Sequence, residues 1–285
     1  MNKFFLKALN KLNLLEKVNV EVPINLNNKK FLIPVLGKTG YSNVFITEPW
    51  MIGLLSGVLP LKPGTFVDVG VNIGQTLLKL KCVDEEVSYV GFEPNPFCVN
   101  YSSKLIELNG FKNSVLMPFG VSDKTEIGVL NFFYSGSTDS TASIIPEFRP
   151  DQKIERKLFI PLYESSEFSQ FLGYDSVGFL KIDVEGAELE VLHSLTGTIK
   201  KSLPFILIEI LPVYDEGNKM RLERQNKIEL FLNECNYSIF RIIKKGNRVV
   251  SLDLVYTFGV HSNLEECDYL CTPKSYLDKI LSLKF

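Results

Sequence analysis

The segment Thr65-Phe66-Val67-Asp68-Val69-Gly70-Val71-Asn72-Ile73-Gly74 leaves a chain few folds to choose from. An apolar run without polar alternation is a strand covered on both faces. Here it ends in a glycine-bearing turn and passes at once, from Gly74 onward, into helical spacing. Such a strand needs helices above and below it, which is the arrangement of a parallel sheet in an α/β fold. The pattern recurs down the chain. Strands are predicted at Thr65–Val69, Ser88–Phe92, Ser114–Phe119, Val177–Ile182, Phe205–Ile210, Ser238–Ile243 and Leu254–Phe258. Helices are predicted near Gln75–Lys81, Pro96–Leu108, Ala187–Leu195 and Lys219–Asn233. The expectation is a Rossmann-like, mostly parallel seven-stranded sheet with helices on both faces. Two extra β segments, Gly128–Tyr134 and Leu158–Leu162, flank the polar loop Ser135–Ser143, and Lys245-Gly246-Asn247 marks a hairpin near the end.

Residues 1–60 read differently. A short helix with Phe5, Leu9 and Leu12 on one face and Lys3, Lys7 and Lys11 on another precedes three short β segments, VNVEVPI, KKFLIPVLG and NVFIT. The division is therefore an N-terminal helix and β extension, 1–60, followed by a Rossmann-like domain, 61–285. The extension, with Thr47-Glu48-Pro49-Trp50 just ahead of the core domain, would cover the cleft and contribute to acceptor recognition or to formation of a homo-oligomer. The lysines interrupt the first apolar run and no small-residue cleavage site follows, so it is not read as a secretion signal, and no transmembrane segment is expected. A formal charge of −2 over 285 residues gives no broad footprint for nucleic acid. Five scattered cysteines and two histidines make neither a disulfide framework nor a zinc cluster, which points to reduced thiols and a cytoplasmic location.

Three groups of residues carry chemistry. The first is Asp68-x-Gly70-x-Asn72-x-Gly74, where a ligand would approach the strand ends over a backbone without Cβ atoms. Asn72 stands where a nicotinamide-binding loop has its middle glycine, which favours a ligand without a pyrophosphate. The second is Glu93, at the end of the next strand, a carboxylate able to accept from both hydroxyls of a ribose. The third is Lys181-Ile182-Asp183-Val184-Glu185-Gly186. Residues alternate in direction along a strand, so Lys181 and Asp183 share a face, and a lysine beside a carboxylate there must be paired or functional. Glu209 ends the neighbouring strand beside Asp183.

In this order, DVGVNIG, FEPNP, VSD, KIDVEGAELEVL and IEI resemble the FkbM-type methyltransferase family over roughly Pro63–Leu211. The resemblance implies a class I methyltransferase fold and transfer of a methyl group from S-adenosylmethionine, mostly to hydroxyl oxygens of sugars and natural products. It further implies that Asp68, Gly70, Asn72 and Gly74 cradle the methionine part of that cofactor. Glu93 would hold the ribose, Ser122 and Asp123 border the adenine, and Asp183 floor the transfer site, with the loop Ser137–Ser143 nearby. The acceptor, a small molecule or glycan, is not inherited from the resemblance.

A hydroxyl acceptor needs a base, and Asp183, Glu209 and His261 all qualify by residue type, with Lys181 setting the charge state of Asp183. Magnesium held by Asp183 and Glu209 is conceivable by ligand chemistry, but no third ligand has convincing spacing, so no metal site is assigned. A sugar oxidoreductase using NAD and a non-catalytic S-adenosylmethionine-binding module are the alternative classes.

Overall fold

A computed structural model describes residues 3–146, 148–169 and 176–285. The chain opens with helix α1 (Lys3–Lys11), then the antiparallel hairpin β1 (Asn19–Leu26) and β2 (Lys29–Leu36). Asn27 and Asn28 form its two-residue turn, both at positive φ, as a tight hairpin with the twist of its strands requires. Helices α2 (Tyr41–Phe45) and α3 (Trp50–Val58) follow.

The body of the fold alternates β3 (Thr65–Val69), α4 (Gln75–Val83), β4 (Tyr89–Phe92), α5 (Pro96–Asn109) and β5 (Ser114–Met117). After an excursion through β6 (Gly120–Val121), β7 (Glu126–Phe132), β8 (Arg156–Tyr163) and α6 (Ser165–Phe168), it resumes with β9 (Val177–Ile182), α7 (Glu188–Ser194), α8 (Thr196–Ser202) and β10 (Phe205–Glu209). It ends with α9 (Lys219–Glu234), β11 (Tyr237–Lys245), β12 (Arg248–Val255), β13 (Asp268–Pro273) and α10 (Leu277–Leu281).

The main sheet has the order β12-β11-β13-β10-β9-β3-β4-β5, while β6, β8 and β7 form a separate three-stranded sheet. From β5 to β10 every pairing is parallel. The chain builds outward from β3 to β5, then returns to build β9 and β10 on the other side. The point where the order reverses lies between β3 and β9. That is where an open α/β sheet leaves a crevice at the carboxyl ends of its strands.

Strand alternation divides the core in two. Phe66, Phe179 and Phe205 point to one face, where their rings stack and meet edge to face with centroids 5.8 and 5.4 Å apart. Val67, Leu180 and Ile206 point to the other, under α7 and α9. The N-terminal segment packs on the phenylalanine face: Leu6, Val22, Ile33, Trp50 and Leu54 belong to the same buried cluster as Phe66 and Phe179.

Three expectations need correction. Among the described residues the sheet has eight strands, not seven, and the strand expected at Leu254–Phe258 is β12, which lies earlier and forms the outer edge. Its expected place is taken by β13, inserted antiparallel between β10 and β11. All six residues of β13 are buried, yet it begins with Asp268 and ends with Pro273, so its apolar stretch is too short to announce a strand. Third, NVFIT is not β structure: α2 occupies most of it, because Asn43 turns inward and its Nδ2 donates to the Ile73 carbonyl at 2.8 Å. Helix α3 also escaped the pattern. Being apolar nearly all round, it shows no polar stripe, and it is buried against α4 and β12. Among the described residues no helix is long and apolar enough to cross a membrane.

A buried ammonium helps to tie the N-terminal segment to the body. Lys79 on α4 is 1% exposed, and its Nζ donates to Glu48 Oε2 at 2.9 Å. Burial pulls the Lys79 ammonium below its ordinary pKa while the Glu48 charge opposes that shift. Ile46 and Glu48 both adopt left-handed backbone, at φ 53° and 48°, a conformation costing about 1–2 kcal/mol for a residue bearing a side chain. Removing the acid alone strands the ammonium, so Glu48→Ala is expected to cost about 1–3 kcal/mol, below the figure for a fully buried pair because Glu48 is half exposed. Lys79→Met removes the need for a partner and is expected to stay within about 1 kcal/mol of the parent or exceed it. Urea unfolding of the two variants checks the asymmetry, and equal losses would contradict it.

Candidate active site

At the switch point the strand ends enclose a crevice of about 300 Å³. Its floor is made by the turns after β3, β4 and β9. The turn after β3 is anchored by Gly70 N–H and Val71 N–H, both donating to the Phe92 carbonyl, and Asp183 N–H donates to Val69. Gly70, at φ 92°, is indispensable for an unexpected reason: a Cβ there would sit 1.9 Å from the Asp183 carbonyl oxygen. The missing side chain makes room for the β9 turn as much as for a ligand. A Cβ on Gly74, which is outside the crevice lining, would instead meet Leu105 of α5 at 2.9 Å.

Glu93 is 7% exposed and bonds both loops, Oε2 accepting from Asn72 N–H at 2.6 Å and Oε1 from Asn95 N–H at 2.8 Å. Asn95, not Glu93, caps α5, its side chain accepting from Phe97 N–H. Each Glu93 oxygen keeps lone-pair capacity, and the residue lines the crevice. Asn72 takes the left-handed conformation at φ 49° and is held by Ser102 and Cys98.

Lys181, Asp183 and Glu209 come together as expected. Lys181 Nζ donates to Asp183 Oδ2 at 2.8 Å, and all three line the crevice. Glu185, at φ 52°, is clamped by Arg149 at 2.6 Å, and its carbonyl accepts from Ser143 Oγ, which draws the loop Ser137–Ser143 against the β9 turn. Asp139 and Ser140 of that loop line the crevice. Asp139 is fastened by N–H groups of Phe133, Tyr134 and Thr141 and by the Thr141 hydroxyl.

Other expected residues lie elsewhere. Asp68 does not reach the crevice: it is wholly buried beneath it, with Oδ2 accepting from Tyr89 Oη at 2.7 Å. Ser122 and Asp123 stand just past the lining residues Gly120 and Val121, because Ser122 N–H turns away to the Tyr163 carbonyl. His261 is also outside the lining. Its N–H bonds Val213 and its ring sits near Arg241 and Glu266, so it is no base for this crevice. Among the described residues no group of three or more His, Cys, Asp or Glu side chains is arranged to hold a metal ion.

Sequence reasoning did not single out Gln75 or Cys98, which line the crevice, nor Cys267, whose Sγ lies 3.3 Å from Glu209 Oε1, and it gave Glu185 no role. Thr47 and Glu48 do reach in from the N-terminal segment, Thr47 Oγ1 accepting from Gln75 Nε2. The lining has two characters. Glu48, Glu93, Asp139, Asp183, Glu185 and Glu209 make one part acidic, with Lys181 as counter-charge, while Val121, Leu130, Ala142, Ile144 and Leu162 make an apolar wall.

Residues 68–239 match the family described as Methyltransferase FkbM domain. Methyltransferase 1 of Beauveria bassiana (strain ARSEF 2860) is 26% identical over 165 residues, covering 53% of this chain and 66% of that protein. Methyltransferase sdnD of Sordaria araneosa is 27% identical over 164 residues, covering 48% of this chain and 62% of that protein. The chain thus spans just under two thirds of these relatives' length. The crystal structure of methyltransferase FkbM from Methylobacillus flagellatus KT superposes with a TM-score of 0.45 at 16% identity, over 74% of this chain and 43% of that one.

Burial governs the protonation of the crevice. It raises Asp68 to about 6 against the pull of Lys181, and Glu93 to about 7 against the N–H groups of Asn95 and Asn72. It raises Glu185 and Glu188 to about 7, and Glu209 to about 9 with the Asp183 charge adding to the effect. Asp183 goes the other way: burial disfavours its charge, but the Lys181 ammonium and hydrogen bonds from Lys181 and Glu209 outweigh it. All five raised carboxyls bind protons more tightly folded than unfolded. Their contribution is therefore fully present below the unfolded carboxyl range and is lost as pH rises through about 6 to about 9. The thermal midpoint of the ligand-free protein is expected to fall steadily from mildly acidic to mildly alkaline pH, and Glu209→Gln should flatten the alkaline part. Calorimetry across that range checks this; a midpoint that climbs with pH would contradict it.

Proposed function

The chain belongs to the FkbM-domain methyltransferases, and on that premise we propose that it methylates a hydroxyl of a sugar, polysaccharide precursor or other natural product, using S-adenosylmethionine. The observation that carries the reading is the crevice itself: a buried carboxylate, Glu93, joins the turns of β3 and β4 at one end, and Asp183, Lys181 and Glu209 meet at the other. The residues fit the cofactor. An acidic lining suits a ligand carrying sulfonium and ammonium charges, Glu93 has spare acceptor capacity for a ribose diol, and the wall of Val121, Leu130 and Leu162 suits a flat ring. Asn72 and the backbone around Gly70 would border the methionine part, and Val121, which lines the crevice, would stand beside the adenine where Ser122 and Asp123 were expected. When bound, S-adenosylmethionine supplies an electrophilic methyl group.

The chain's own work is alignment, exclusion of water and management of one proton. Asp183 is held ionised by Lys181 from the same strand face, so it is ready to accept a hydrogen bond from the acceptor hydroxyl. Glu209, protonated at neutral pH, donates to Asp183 and adds to the hold on its charge. A weak base suffices here, because an alcohol oxygen that gains a third bond, to the methyl carbon, becomes a strongly acidic oxonium, which sheds its proton to an ordinary carboxylate. The N-terminal Thr47 and Glu48 close the side of the crevice and would help to exclude water. Five free thiols fit a reducing cytoplasm.

S-adenosylhomocysteine should raise the melting temperature and NAD should not; the reverse result would favour an oxidoreductase. Glu93→Ala is expected to weaken S-adenosylhomocysteine binding by about 1.5–3 kcal/mol, and wild-type affinity by calorimetry in the folded variant would remove the ribose assignment. Asp183→Asn should keep that binding while turnover on an accepted hydroxyl compound falls by roughly two to four orders of magnitude. Near-normal turnover would make Asp183 a structural turn residue.

A further inference from the structure

We propose that α1 and the turn that follows it form an interfacial surface that docks the protein on an anionic lipid bilayer. Helix α1 is seated by Leu6, fully buried, with Leu9 partly buried beside it. The rest of its apolar complement faces outward: Phe5 is 54% exposed, Phe4 is exposed as well, and Leu12 and Leu14 in the following turn are 66% and 43% exposed. Phe5 and Leu12 are seven residues apart and stand on one side of the helix. Lys3, Lys7 and Lys11, spaced by four, form an exposed basic stripe on the other flank of the outward face, where Lys3 and Lys7 reach over the Phe45 ring at 5.9 and 5.0 Å. Three flexible cations beside outward-facing aromatic and aliphatic groups make the composition of a helix that lies in a headgroup layer.

Charge decides the occupant. Helix α1 contains no acidic residue. Glu16, which follows, is taken by Lys38 at 2.8 Å. A chain of net charge −2 thus carries a locally unbalanced basic stripe. A second copy meeting this face about a two-fold axis would set lysine against lysine, whereas anionic headgroups neutralise the stripe while the acyl boundary receives Phe5, Leu12 and Leu14. The surface adjoins the crevice: Lys7 Nζ lies 5.0 Å from the centre of the Phe45 ring, two residues before Thr47 of the lining.

The test is co-sedimentation of the full chain with vesicles of phosphatidylcholine alone and of phosphatidylcholine mixed with phosphatidylglycerol. Sedimentation is expected with the mixed vesicles, at least about tenfold stronger than with neutral ones, and weakened by added salt. Leu12→Glu and Lys11→Glu should each lower binding by about tenfold, with unchanged melting temperature because these side chains are exposed. Failure of the wild type to sediment with mixed vesicles overturns the proposal, as does wild-type binding by both variants. A dimer in sedimentation equilibrium that Leu12→Glu dissolves, with the protein left in the supernatant by mixed vesicles, would assign the face to a second copy instead.

Discussion

Everything at the crevice depends on an ammonium group in the middle of a sheet. Lys181 is 6% exposed on a strand flanked on both sides, and its register partner on β3 is Asp68. Burying that charge is tolerable only where opposite charge stands at fixed distance, and Asp68 and Asp183 supply it from two neighbouring positions. A slip of β3 against β9 by one residue would turn Lys181 toward the apolar face of Leu180 and Ile182 and leave both acids unpaired. Pairing therefore fixes the register of the two strands between which the crevice opens. It also explains why Asp68, though below the crevice, belongs to its construction: its carboxylate balances the lysine from underneath while Asp183 pairs with it at the crevice.

The sheet body was legible because buried parallel strands write themselves as apolar runs closed by glycine turns, and Asp68, Glu93, Asp183 and Glu209 were legible because a carboxylate at the end of such a run is conspicuous. Direction was harder. Asp68 and Lys181 alternate correctly, yet alternation says which face a side chain takes, not how deep it sits. Ser122 fell just past the lining because the chain turns at β6 to join the smaller sheet, a pairing across some forty residues that no local pattern records. His261 invited a role by residue type alone. Helices α2 and α3 and strand β13 were obscured by tertiary packing: Asn43 reaching inward, a mostly apolar helix without a polar stripe, and a buried strand with polar ends.

The two glycines of the first turn show how a sequence signature can be right for the wrong atom. Openness to a ligand predicts glycine at positions 70 and 74, but the space where their Cβ atoms would lie is occupied by the Asp183 carbonyl and by Leu105. Glycine here lets three loops approach one another closely, and a ligand-sized crevice results from that approach. The same logic holds for Gly186, at φ 110°, whose missing side chain admits the ring of Phe148.

Strand β13 lies between β10 and β11 although it comes after both in the chain. A growing polypeptide that has already made β10 and β11 holds two strands whose facing edges have no partner, separated by the width of a strand not yet synthesised. Those edges, carrying Ile206, Ile208, Ile239 and Phe240, are the sort that pair with whatever strand arrives first. The sheet is thus completed by a late insertion of distant residues, a step that slows folding and leaves the unfinished chain dependent on shelter until its last strand is in place.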